Sequence, residues 1–547
     1  MRRFAYSLVF SSLGLVAAAA CGGGQIDVPI GSTAAGGTSS GTGGVGAAAG
    51  IGGASAGKGG TAGCPGSAPT NPGCSAGLGG TGAAGAAGSP GGASGAAGVA
   101  GASAGASAGA GGGTSGAGGS TTAGGACGVA GSGGSGTAGS AGGLGKSGKK
   151  FCDLPPGPAT ALKVPAGFCI RQFADSTIVK EPRTIRIAPN GDVFVASPKQ
   201  STPGGAFGGM GAIVVLPDDD HDGRVDGPPQ VFAGASAMSG ACNNKPTDAD
   251  DLFCVHGIGL FDGYVYFTRF NDLRRYPYAN GQRKASGPSE LVATLGMEMP
   301  LDWRFTHTVD RMANGDVLVT RGRYDSSDCS MNSMGEGSVF SVSVSGCLPA
   351  PINQIAQGFR NPMYARCHPT NGSCFANELS GDGWDILGGR EKLVTLVPGT
   401  NWGYPCCVDT NKPTNGASAD LCAGVGTATI AIKLHDTPFG LDFERGNFPA
   451  PYKNAVFVAN HGMVGAPWPG TAVVWYPTDD KGMPIPSPDP DAPPNKFVTG
   501  FGFGAGTVGG RATDVTFSPD GRMFIIDDTS SEVWWVAPED LESPAGW

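Results

Sequence analysis

The chain has 547 residues, a net charge of −9, 99 glycines and 15 cysteines. Residues 1–150 hold 51 of the glycines and none of the eight tryptophans, too little apolar surface to offset the entropy of ordering a backbone. They carry six basic residues and one acid, Asp27, against 35 and 44 in the whole chain, so the remainder has a net charge of −14. That balance excludes nucleic acid and anionic membrane surfaces as partners and leaves small molecules or proteins.

In chain order, residues 1–21 read as an export signal: Arg2 and Arg3, an apolar run from Phe4 to Ala20, then small residues before Cys21. Ala18-Ala19-Ala20-Cys21 is similar to the bacterial lipobox, with Ala18 where that motif usually has Leu. Two outcomes stay open, a lipid on Cys21 or ordinary cleavage after Ala20. Gly22 behind the cysteine points, by resemblance, to outer-membrane sorting over inner-membrane retention. Residues 22–150 lack the period of collagen and read as a flexible tether, with an end-to-end distance of roughly 60 Å.

Fifteen cysteines without a zinc pattern point to structural disulfides in an oxidising compartment. The spacing suggests Cys242 with Cys254, Cys329 with Cys347 and Cys367 with Cys374. Cys64 and Cys74 suit a small loop in the tether. Cys406 and Cys407 cannot both reach Cys422, so one pairs elsewhere.

Residues 151–547 contain one pattern six times: a short apolar strand, a Gly-containing turn and a second apolar strand. The copies start at Thr184, Gly257, Thr308, Tyr364, Gly440 and Thr513, several with Asn-Gly or Asp-Gly at the turn. Each is followed by a further strand, at Ala212, Leu273, Ser338, Lys392, Ala472 and Glu532. Repeats of this length with no convincing helix between them predict an all-β fold, a six-bladed β-propeller behind a disordered Gly/Ala/Ser-rich segment.

Polar residues recur at the start of the repeats: His256, His307, Arg360-Asn361, His435 and Arg511. In a propeller these positions surround one end of the central channel. Three of the chain's six histidines stand at this level.

Gly358-Phe-Arg-Asn-Pro, with Val397-Pro-Gly-Thr-Asn-Trp-Gly-Tyr-Pro, resembles the paired signatures of the soluble quinoprotein glucose and sorbosone dehydrogenases. Phe448-Pro through Val458-Ala-Asn-His-Gly, and the stretch from Gly510 to Gly521, look like that family's last two blades. The likeness runs from about 164 to 537. It implies a six-bladed propeller binding pyrroloquinoline quinone (PQQ) and calcium and oxidising a sugar or polyol. His307 matches the general base, Arg360 the arginine beside the reactive carbonyl, Asn361 its companion on the cofactor, and Arg511 an arginine on a PQQ carboxylate. His256 is a further cofactor candidate. The chain departs from the family at Thr513, where a second arginine is expected, and at His461, in place of a lysine. Arg321 or Arg323 offers a substitute cation. The resemblance places a PQQ-linked calcium on backbone carbonyls near Ser380 and Gly381; Glu378, Asp382 and Asp385 are nearby oxygens or ordinary loop acids.

Asp218, Asp220, Asp222-Gly223 and Asp226 have the spacing of a calcium loop, without a glutamate at the twelfth position. The segment is either a calcium turn or an acidic hairpin. The leading expectation is an exported, lipid-anchored, periplasmic or secreted PQQ-dependent sugar dehydrogenase, passing electrons to a soluble acceptor since no haem-attachment motif is present. The competing expectation is a tethered propeller that binds protein or glycan without chemistry. A lactonase reading fits less well, because the repeat starts are cationic or imidazole.

Overall fold

The computed structural model describes residues 146–198, 211–234, 252, 254–269, 271–296, 307–323, 329, 337–408, 412–463 and 468–544. The signal, Cys21 and nearly all of the tether therefore lie outside the described residues. So do Cys64, Cys74 and Cys242.

Six antiparallel sheets follow one another as blades. Their innermost strands are Thr184–Ile187, Ile258–Phe261, Val309–Arg311, Asn361–Cys367, Pro438–Phe443 and Ala512–Phe517. Each is the first strand of a sequence repeat, and each third strand falls on the segment expected for it, from Ala212–Leu216 in blade 1 to Glu532–Pro538 in blade 6. The tight turns carry glycines at positive φ, among them Gly191, Gly315 and Gly521. The second and third strands of blade 1 are buried on both faces, because each blade packs between two others and apolar side chains project both ways. Phe194, Ile213, Val265 and Phe267 share one such inter-blade core.

The fourth strand of blade 6 comes from the other end of the chain. Phe168–Ala174 pairs antiparallel with Glu532–Pro538, closing the ring. Cys152–Cys169 ties the approach to that strand, and Lys146–Lys150 pairs with Glu542–Pro544.

Blade 4 carries an insertion between its third strand, Arg390–Thr395, and its fourth, Ile430–Lys433. Thr400–Asn401 of that insertion runs parallel to Ile352–Gln357, as a fifth strand on blade 3. This crossing decides the disulfides. Cys329 pairs with Cys406, 77 residues away, and not with Cys347 as spacing suggested, because the insertion brings Cys406 onto blade 3. Cys407 pairs with Cys422 and Cys367 with Cys374, while Cys254 and Cys347 are also disulfide-bonded.

Candidate functional site

The first strands begin at one end of the channel, its head, and local hydrogen bonds fix the residues there. In blade 2 the Thr268 hydroxyl accepts from the Gly257 amide (2.9 Å), and in blade 3 Thr320 does the same for Thr308 (2.9 Å). Thr268 Oγ1 also donates to the His307 carbonyl (2.7 Å), joining the two blades. A threonine at the end of each second strand thus holds the backbone beside each histidine.

His307 is fully buried, and its Nδ1 lies 2.6 Å from the Thr320 carbonyl. A carbonyl only accepts, so Nδ1 carries a proton. His256 Nδ1 donates in the same way to the His307 carbonyl (3.3 Å), and its buried Nε2 has no hydrogen-bond partner. Burial pushes the His256 pKa down to about 3, assisted by Arg183 and His307, so the ring is neutral at ordinary pH.

Blades 5 and 6 supply the charged part of the head. Asp528 accepts from His461 Nε2 (2.9 Å) and pairs with Arg183 (2.6 Å). Burial opposes charge on Asp528, but His461, Arg183 and Arg511 outweigh it and hold the carboxyl well below its usual range. His461 is pushed down to about 4 by burial and by Arg511, so it donates as a neutral imidazole whose Nδ1 is left without a partner. Its ring stacks on Phe439 at 4.0 Å. Arg511 Nε and Nη2 hold the carbonyls of His461 (2.8 Å) and Gly462 (2.6 Å). Burial lowers its pKa to about 10, which leaves it cationic.

Arg360 stands at the start of blade 4, its amide on Glu378 Oε1 (2.7 Å) and its guanidinium on Asp382. Arg323 is buried beside it, its amide donating to the Arg360 carbonyl (2.8 Å), and Arg321 is buried two residues earlier. Asn361 is buried, with Nδ2 3.5 Å from Met363 Sδ. His435 is only half buried.

The two resemblance signatures form one piece of structure. A Cβ on Gly358 (φ +75°) would land on Asn401 Oδ1 and the Gly403 amide, so only glycine fits. Trp402 N donates to the Gln357 carbonyl and Tyr404 N to Gly358, both at 2.8 Å. The blade 4 insertion is thereby fastened against the strand entry that carries Arg360.

Ser380 and Gly381 follow the second strand of blade 4. Lys392 Nζ lies 3.5 Å from Ser380 Oγ, and the Gly381 carbonyl already accepts the Trp384 amide (3.0 Å). Glu378 stands opposite Lys392 on the neighbouring strand, its carboxyl pushed up by burial and drawn down in part by that ammonium. The Asp218–Asp226 loop lies at the opposite end of the blades from the channel head, between the third and fourth strands of blade 1.

Three head residues escaped the sequence reading. Arg183 precedes the first hairpin just as His256 and His307 precede theirs, so the same registry rule finds it. Asp528 and Lys392 lie on the ends of later strands, where no local pattern marks them. Thr513 accepts the Asp528 amide (3.0 Å), and Arg183, from blade 1, brings a guanidinium to the neighbourhood where the expected second arginine is absent.

No family model matches the chain. It is 23% identical over 399 residues to an uncharacterized protein of Borreliella burgdorferi, a match covering 70% of this chain and 92% of that one. Among solved structures, the holo PQQ domain of pyranose dehydrogenase from Coprinopsis cinerea superposes with a TM-score of 0.52 at 18% identity, covering 70% of this chain and 98% of that domain. A calcium structure of a Trichoderma reesei carbohydrate-active enzyme of family AA12 gives 0.53 at 18% identity, covering 71% and 99%. The fold is theirs. A six-bladed propeller of the kind that carries the pyranose dehydrogenase PQQ domain is what the present chain shares with them.

Proposed function

We propose that the protein is an exported PQQ-dependent oxidoreductase acting on a hydroxyl of a sugar or polyol. The observation that carries this reading is the convergence of Arg183, His256, His307, Arg360, His461 and Arg511 on one channel end of a propeller shared with a PQQ domain. The residues suit an anionic quinone: the cluster is cationic, and His256 Nε2, His461 Nδ1 and both side-chain polar atoms of Asn460 are buried without partners. PQQ, when bound, supplies a two-electron acceptor for the hydride leaving the alcohol carbon.

His307, oriented by the Thr320 carbonyl, takes the hydroxyl proton on Nε2, so the substrate leaves as a carbonyl compound. Arg183, Arg511 and Arg360 hold negative charge on the cofactor. No step is assigned to a metal at Ser380 and Gly381. The signal sequence and Cys21 support export with a lipid anchor. A soluble acceptor fits the lack of a haem-attachment motif.

A second reading, a binding propeller without chemistry, is favoured by one observation: Arg183 and Arg360 are already paired with carboxylates and His307 is fully buried. The two separate on adding PQQ to the purified protein and following dye reduction with a panel of aldoses and polyols. Binding with turnover supports the enzyme, and failure of PQQ to bind rejects it. Loss of palmitate labelling in Cys21→Ser tests the anchor.

A further inference from the structure

We propose that the Asp218–Asp226 loop binds a structural calcium ion that clamps the seam where the ring closes. This is independent of whether the protein oxidises a sugar. The loop places Asp218, Asp220 and Asp222 at alternate positions before Gly223, with Asp226 three residues on, the order in which calcium loops present their oxygens. One oxygen from each of Asp218, Asp220 and Asp222 lies within 4.8 Å of the others. Asp218 is the buried member of the three, Asp222 is half-buried and Asp220 is exposed.

Each of the three accepts one backbone amide of the loop, Asp218 from Gly223, Asp220 from Asp222 and Asp222 from Arg224. Asp219 turns away to Arg283 (2.8 Å), which also holds Asp192. Asp226 accepts the backbone amides of Asp219 and Asp220. Asp218 is 9% exposed, and its Oδ2, shut off from solvent, has no hydrogen-bond partner. The guanidinium nearest in charge, Arg522, is engaged by Asp520 (2.8 Å) and lies over the Phe151 ring. A buried oxygen without a donor, on a carboxylate grouped with two more, is where a hard cation completes the site.

Calcium is favoured over magnesium because the ligands sit on a short irregular loop and not in an octahedral cage. Pro229 at the twelfth position removes the bidentate glutamate of tighter sites, so affinity falls to roughly 10⁻⁴ M.

The loop touches the closing strand. Trp535 Nε1 donates to the Gly223 carbonyl (2.7 Å) and Val225 N to the Phe173 carbonyl (3.0 Å). Gly223 has φ +84°, and a Cβ there would press on Leu154 and Trp535 at 3.0 and 3.1 Å. Phe173 and Trp535 belong to the last two strands of blade 6, one from each end of the chain. An ion that orders this loop therefore ties blade 1 to the strand pair that closes the ring.

The test uses the chelator-stripped protein without PQQ, probed with terbium excited through its tryptophans and with calcium in thermal unfolding. The indole of Trp535, bonded to the loop, makes it a sensitiser. Sensitised emission displaced by calcium is expected, and 10 mM calcium should raise the Tm by roughly 3 °C. Asp222→Asn and Asp220→Asn should each weaken calcium binding at least 10-fold and remove most of the shift, while Asp219→Asn keeps both. Absence of calcium binding, or equal loss in Asp219→Asn, overturns the site. An equal shift with 10 mM magnesium overturns the assignment to calcium.

Discussion

Both ends of the central channel are lined by buried charge, and they are built to different ends. At the lower end Asp514, on blade 6, meets Arg186 of blade 1 at 3.2 Å and Arg366 of blade 4 at 3.6 Å, and accepts the Ile185 amide. Arg366 Nε in turn holds the Leu441 carbonyl of blade 5. This is a brace across four blades, and beside it opens a cavity of about 350 Å³ lined by Asp310, Arg366, His368 and Asp442. At the head, neutral imidazoles replace part of the charge, and two of them keep an unpartnered ring nitrogen. The cavity thus opens at the end that braces the ring, away from every candidate cofactor residue. The unmet bonding of buried ring nitrogens marks the head instead.

Substitutions at the two ends should separate along the same line. Asp514→Ala leaves two buried guanidinium groups without their carboxylate and is expected to cost about 3–5 kcal/mol, read as a fall in Tm of roughly 5 °C, with PQQ affinity of the folded protein unchanged. Loss of PQQ binding without loss of stability would erase the distinction between the ends. His307→Gln should do the reverse, lowering turnover by about 10²–10⁴-fold with a small change in Tm. Full turnover in that variant would remove the base from the head.

A smaller effect is expected from Cys329→Ser. Its disulfide with Cys406 fastens the blade 4 insertion to blade 3, so its loss should cost about 2–4 kcal/mol and open the insertion to protease before the rest of the ring. Simultaneous cleavage throughout the propeller would show that the insertion is not a separate unit of stability.

The smallest effect is on pH dependence. Burial raises Glu378, at the head, to about 7 and Asp310, at the lower end, to about 6, against the charges of Lys392 and Arg186. Each binds its proton more tightly in the folded state. The associated stability is complete below the unfolded carboxylate value and is lost as pH rises through about 6 to 7. His256 and His461, lowered by burial to about 3 and about 4, act the other way: their stability is complete above pH 6.5 and is lost on acidification through the folded values. Between pH 6.5 and 8 only the carboxylates still titrate, so Tm should fall by a few degrees. Glu378→Gln should reduce that slope, and an unchanged slope would assign it to the other carboxylates that burial raises to about 7, such as Asp514 and Asp527.

Much of the fold was legible because its signals are local. Asn190-Gly191, Asn314-Gly315 and Asp520-Gly521 specify tight turns, and short apolar runs such as Val193–Ser197 specify the strands beside them. The blade-start rule located His256, His307, Arg360 and Arg511 correctly at one level. It also carried His435, which is only half buried, and it passed over Arg183 although that residue obeys it. The pairing of Cys329 was not legible, because an insertion from another blade, and not nearness in sequence, sets it.

By itself, then, the sequence determined six hairpins, their third strands and the level at which polar residues would gather, since turn chemistry and alternation act over a dozen residues. Only the tertiary structure decided that Phe168–Ala174 completes blade 6, that Cys329 meets Cys406, and that Arg183 meets an aspartate 345 residues away. Those contacts arise from closing a ring, and a closed ring brings together the parts of the chain that local rules keep furthest apart.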